Sequence, residues 1–128
     1  MNKQFLIIGL NLIFIFFSCS GQNENVLPPK EFKAKMGQPS VTLLDVRTPD
    51  EYKAGHLEKA TNIDINSPQF GTQCDKLDKT KPVLVYCLAG KRSHRAAEML
   101  RQKGYKVQEL SGGIESWQAA GLPVVTGN

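Results

Sequence analysis

The chain has 128 residues, one domain's worth, and 16 Lys+Arg against 12 Asp+Glu for a formal net charge of +4. That excess is too mild to indicate a nucleic-acid surface, and three cysteines are too few for a disulfide-framework mini-protein. No residue type dominates and no segment repeats, which excludes collagen-like, solenoid and disordered classes.

In chain order, the first element is a leader. Lys3 supplies a positive charge, and Phe5 to Phe17 then runs apolar apart from Gly9 and Asn11. Four of the six phenylalanines lie here, so the composition overstates how apolar the rest is. Thirteen helical residues rise only about 20 Å, short of the roughly 30 Å hydrocarbon core of a bilayer. A charged start, a short apolar run and then small residues is the layout of a secretory signal peptide. Phe16-Phe17-Ser18-Cys19 also resembles a bacterial lipobox, in which the cysteine is acylated and becomes the mature N-terminus. The expected division is a lipoprotein-type signal over 1–18, a polar tether over 19–27 and a folded domain over 28–128. On this reading the protein is exported to the periplasmic side of a bacterial membrane and held there by a lipid on Cys19. Cleavage after Ser20 and an uncleaved anchor are the alternatives.

Pro28-Pro29 ahead of Lys30 to Met36, closed by Gly37, predicts a short helix. Val41 to Val46 is an apolar run of strand length, too continuous for a strand with one wet face. Thr48-Pro49-Asp50-Glu51 is a capping box that opens a helix ended by Gly55. Ala60 to Ile63 reads as a short strand, and Ser67-Pro68 opens a helix with Phe70, Cys74 and Leu77 on one face. Pro82 to Cys87 is the second strong buried strand. Ala96, Met99 and Leu100 give the next helix an apolar stripe, ended by Gly104. Val107 to Leu110 is strand-like, and Ile114, Trp117 and Ala120 mark a last helix before Gly121. Strands alternating with helices at this rhythm imply an α/β fold, an open parallel sheet with helices on both faces.

In such sheets ligands collect at the carboxyl ends of strands, where helix N-termini point free N–H groups. Cys87 ends the central strand, and Leu88-Ala89-Gly90 leads tightly into a helix. Lys91, Arg92 and Arg95 crowd the first turns of that helix, where the dipole is already positive and acids are preferred. A local rule broken this sharply is expected at a functional site. The compensating anion is a Cys87 thiolate, an anionic substrate, or both. A cysteine at a helix N-terminus beside cations has its pKa lowered and becomes a nucleophile at neutral pH. The plainer alternative is a buried strand-end cysteine followed by solvent-facing basic residues.

Leu44-Asp45-Val46-Arg47, Glu51-Tyr52, Gly55-His56-Leu57, Ala60-Thr61-Asn62-Ile63, Cys87 to Ser93 and Gly112-Gly113-Ile114-Glu115-Ser116-Trp117, with Ala120 to Val124, together resemble a single-domain rhodanese. The resemblance implies five strands, a sulfurtransferase activity and a Cys87 that carries sulfane sulfur as a persulfide. It implies that Leu88, Ala89, Gly90, Lys91 and Arg92 form the persulfide- and substrate-binding loop. Only four residues separate Cys87 from Arg92. Related cysteine phosphatases and arsenate reductases use a loop one residue longer, so the resemblance implies a loop that fits a single sulfur and not a phosphate. No cofactor is implied. The expected partners are a small anionic donor such as thiosulfate and a cyanide or thiol acceptor, with no nucleic acid, membrane contact through the lipid alone, and a monomeric chain. A non-catalytic persulfide carrier or redox partner in the cell envelope is the alternative; an inactive scaffold is disfavoured because Cys87 is kept.

The remaining candidates read as structure. Glu51 closes the capping box, and Arg47 is placed to pair with it or with Asp45. His56 follows a glycine in a turn and belongs to a motif that is scaffolding in the family, while His94 is expected at the surface. Neither histidine has a second ligand at metal spacing, so no metal is expected. Cys74 is expected to be a buried, inert thiol; in an oxidising compartment the alternative is a disulfide to Cys87 that silences the site.

Overall fold

Two four-residue strands, β2 (Thr42–Asp45) and β4 (Val83–Tyr86), run side by side at the middle of a five-stranded sheet in the computed structural model, which describes residues 23–128. The leader over 1–18 and Cys19 lie outside the described residues. Around the two strands come β1 (Val26–Leu27), α1 (Pro29–Met36), α2 (Pro49–Ala54), β3 (Thr61–Asn62), α3 (Phe70–Cys74), α4 (Lys91–Gln102), β5 (Val107–Leu110) and α5 (Gly113–Ala119). The sheet order is β1-β5-β4-β2-β3 and every pairing is parallel.

Alternation along the central strands sorts the core into two layers. Val83, Val85 and Cys87 face one side with Leu44 and Val46, against Phe70, Cys74, Ala96, Ala97 and Leu100 from α3 and α4. Leu84, Tyr86 and Leu43 face the other, against Phe32 of α1 and Ile114 and Trp117 of α5. Helices therefore cover both faces, which is why β2 and β4 read as unbroken apolar runs.

Three local expectations shift. Val26 and Leu27, the last residues of the stretch read as tether, pair with Glu109 and Leu110 as the edge strand β1. Two residues carry no periodicity, so this fifth strand left no local signal. Met99 is 40% exposed, and the buried stripe of α4 is Ser93, Ala96, Ala97 and Leu100. At about 100° per residue these four fall within an arc of about 100°, and Met99 lies about 60° beyond its Ala96 edge. The helix predicted from Ser67 begins at Phe70 after a turn, and half-buried Leu77 lies past its end.

Candidate active site

Cys87 leaves β4 at its carboxyl end with its side chain on the α3–α4 side of the sheet and 1% exposure. Gly90 (φ 111°) turns the chain straight into α4 without the cost a Cβ would meet there. The turn brings the Gly90 N–H to 3.1 Å from Cys87 Sγ, as donor. Burial pushes the thiol up. Hydrogen bonds from the Ser93 hydroxyl and from the backbone N–H groups of Ser93, Gly90 and Ala89 outweigh it and hold Cys87 below its ordinary 9.0. The loop therefore favours the thiolate, with the Gly90 N–H in direct contact with the sulfur.

The resemblance assigns the cradle to Leu88 through Arg92. Of these residues Gly90 donates to the sulfur, Ala89 helps to lower the thiol pKa, and so does Ser93, the residue just past the loop. Ser93 is fully buried and its hydroxyl also lies 3.1 Å from the Gly90 carbonyl, to which it can donate. One hydroxyl proton serves one acceptor at a time, and the charged thiolate draws it more strongly. The available signal was its position: a serine three residues before Ala96, in the inward stripe of an otherwise apolar helix face. Ser93→Ala is expected to raise the Cys87 pKa. Since the thiolate is the nucleophile, alkylation of Cys87 by iodoacetamide rises with pH to a plateau. The variant's inflection should move to higher pH, slowing the reaction at neutral pH, while the plateau does not fall because a more basic thiolate is the stronger nucleophile. An inflection that stays put would exclude this role for the hydroxyl.

The loop carbonyls need partners too, and α5 supplies them. The Ile114 N–H donates to the Cys87 carbonyl at 2.9 Å and the Glu115 N–H to the Leu88 carbonyl at 3.1 Å. With these carbonyls bonded outward to α5, the loop amides are left for the sulfur. Gly113 (φ 63°) touches the loop backbone directly: a Cβ there would overlap the carbonyl group of Leu88 and come within 2.6 Å of Cys87 O. The Gly112-Gly113-Ile114 segment is therefore the second wall of the site.

On the remaining side stands α2. Glu51 completes the capping box with Thr48 and also receives a bidentate pair from Arg92, Nη1 to Oε1 at 2.7 Å and Nη2 to Oε2 at 2.9 Å. The Arg92 guanidinium, helped by the Thr48 N–H and hydroxyl, holds the Glu51 carboxyl down to about 2 despite partial burial. Glu51 thus ties the loop to α2 and remains ionised at any ordinary pH. Arg47 makes no pair with Glu51. It is 4% exposed and binds Asp45 at 2.7 Å and the Gly55 carbonyl at 2.6 Å, with Asn62 donating to the Asp45 and Arg47 carbonyls. Asp45 and Arg47 therefore staple β2 to the end of α2 and to β3, away from the sulfur.

This leaves the loop cations in different positions. Arg92 is held by Glu51, although its charge still bears on Cys87. Lys91 is exposed and has no acidic partner among the described residues. His56 is buried, stacked on Tyr52 with ring centroids 3.7 Å apart, and paired through its backbone with Val125. Exposed His94 lies between Glu98 and the buried carboxylate of Glu109. Cys74 is fully buried in α3, where burial pushes its thiol up to about 11, and both it and Cys87 are free.

Comparison with known proteins gives one consistent picture. Residues 28–120 match the sequence profile of the Rhodanese-like domain family. The chain is 39% identical over 80 residues to a thiosulfate sulfurtransferase of Coxiella burnetii, covering 62% of this chain and 73% of that one. It is 33% identical over 116 residues to a tRNA uridine(34) hydroxylase of Pelagibacter ubique, covering 89% of this chain but only 37% of the hydroxylase. The crystal structure of a rhodanese-related protein from Thermoplasma volcanium superposes with a TM-score of 0.72 at 32% identity, over 79% of this chain and 97% of that one.

Proposed function

The chain belongs to the rhodanese-like domain family, and from that premise we propose that it is a sulfurtransferase working through a persulfide on Cys87. The Cys87 thiolate attacks the outer sulfur of thiosulfate or a similar anionic donor. The donor's sulfur–sulfur bond breaks, sulfite leaves with the bonding pair, and Cys87 holds the transferred sulfur. Cyanide or an acceptor thiolate then attacks that outer sulfur and returns Cys87 to the thiolate. Lys91 meets the incoming anion, and the amides that hold the thiolate hold the persulfide. Arg92 shapes the loop through Glu51 rather than serving as a free cation.

The observation that carries this reading is the Gly90 N–H donating to Cys87 Sγ at 3.1 Å at the N-terminus of α4, in a loop whose donors hold the thiol pKa below its ordinary value. A tRNA uridine(34) hydroxylase activity is that of proteins of which this chain spans 31–37%; nothing about the Cys87 cradle calls for it. Incubation with thiosulfate followed by intact-mass and peptide analysis tests the proposal. One added sulfur on Cys87, removed by cyanide, is expected; an unmodified Cys87 would overturn it.

The leader carries a second part of the proposal: export, with Cys19 acylated and the polar residues after it spacing the domain from a membrane. Radiolabelled palmitate should enter the wild type and not Cys19→Ala; equal labelling of both would exclude the anchor.

A further inference from the structure

Most of the large apolar side chains of the domain are buried. Among the described residues Leu88, Met99 and Val125 are the exposed ones, and Leu88 borders the sulfur site while Met99 lies further along the helix that starts there. Leu88 follows Cys87 directly and is 40% exposed at the loop tip. From there Lys91, Arg95 and Met99, all exposed, follow one another at four-residue spacing along one side of α4. Eight residues of helix make a stripe of about 12 Å leading away from the loop. Lys91 and Arg95 have no acidic partner among the described residues, whereas Arg92, His94, Arg101 and Lys103 each do. Glu98, beside the stripe, is engaged by His94 at 3.3 Å.

A small dianion such as thiosulfate has no use for this arrangement. It needs the loop amides and Lys91, and has neither the reach for Arg95 nor apolar surface for Leu88 and Met99. Two unpaired cations between two exposed apolar side chains, with a sulfur at one end, suit a larger partner. Methionine and arginine are enriched at protein interfaces, and methionine adapts to varied apolar surfaces. The positive N-terminus of α4 adds to the field of Lys91 and Arg95, so the complementary partner is acidic.

We infer that the physiological acceptor of the Cys87 sulfur is a cysteine thiol on an acidic protein that docks across Leu88, Lys91, Arg95 and Met99. The inference rests on the sulfurtransferase reading and names its acceptor class. The partner's thiolate attacks the outer sulfur of the Cys87 persulfide, the sulfur–sulfur bond of the persulfide breaks, and its electron pair returns to Cys87 Sγ. The partner leaves as a persulfide, with no net oxidation.

The test compares the rates at which three acceptors discharge the Cys87 persulfide, followed by intact mass. The acceptors are cyanide, a short peptide with one cysteine flanked by aspartate, glutamate and leucine, and the same peptide with lysine for each acid. The chain is loaded with inorganic polysulfide rather than thiosulfate. Refusal of sulfur from thiosulfate would therefore count against the enzymatic reading while docking is still measured. The acidic peptide is expected to react roughly tenfold faster than its lysine counterpart at low ionic strength, with the advantage shrinking as salt is added. Arg95→Glu and Met99→Ser, both on exposed positions outside the loop, should each slow the acidic peptide and leave cyanide discharge unchanged. Equal rates for the two peptides, or variants that leave the acidic peptide's rate unchanged, would overturn the inference.

Discussion

Cys87→Ser is expected to lower thiosulfate-dependent sulfur transfer by roughly a thousandfold or more, into the background of the assay, because it removes the nucleophile outright. The substitution nearly preserves shape. The serine hydroxyl occupies the same 1%-exposed position and can accept from the Gly90 N–H that now lies 3.1 Å from Sγ. A hydroxyl in that place has no accessible anion at neutral pH, so the cradle is left holding a neutral acceptor. Stability should shift by only about 1 kcal/mol in either direction, which separates loss of chemistry from loss of fold. Thermal melts alongside a thiosulfate–cyanide assay make the comparison, and full activity in the variant would remove Cys87 from the mechanism. Cys74→Ser is the matched control. It too replaces a buried thiol, but in α3, where burial pushes the thiol up to about 11. It should keep transfer activity and lose stability by burying a hydroxyl in an apolar layer.

Gly113→Ala should cost roughly 2–5 kcal/mol of stability and most of the activity together. The left-handed backbone (φ 63°) accounts for about 1–2 kcal/mol in a residue with a side chain. Overlap with the carbonyls of Cys87 and Leu88 adds about 1–3 kcal/mol, because backbone cannot rotate away. That sum is a large share of the about 5–15 kcal/mol that holds a domain together. Relief of the overlap would also pull α5 from the loop, and with it the Ile114 and Glu115 bonds that leave the amides free for sulfur. Gly121→Ala supplies the reference. Its φ of 76° is equally left-handed, yet a Cβ there meets nothing within 4 Å, so only the conformational cost of about 1 kcal/mol is expected. Urea midpoints for the two variants, with sulfur loading of each, measure the difference. Equal costs would show that Gly113 serves conformation alone.

Which parts of this molecule can be read from its residues depends on the range of the interactions involved. The two central strands, the capping box at Thr48–Glu51 and the start of α4 after Gly90 are settled by neighbours a few residues apart, and the sequence alone identifies them. So does the anomaly at Lys91, Arg92 and Arg95, because the mismatch with the dipole of α4 is a local one. The family motifs extend that reading to the full α/β sheet and imply Cys87 as the reactive residue of the proposed function.

Pairings across the fold were beyond that reach. Local spacing placed Arg47 equally well against Asp45 or Glu51, and only the sheet, which buries Asp45 and Arg47 together, decided between them. Glu51 was legible as a cap. That it also holds Arg92, 41 residues away, follows from α2 and the loop meeting at one end of the sheet. The same holds for β1, whose two residues become a strand only because β5 offers an unpaired edge. Gly113 joins the site because folding brings α5 against the loop. Residue identity and short spacing thus determined most of the elements, and the family motifs singled out Cys87. Tertiary structure decided which charges are neutralised and which segments wall the loop, since these depend on distances between segments that no local pattern encodes.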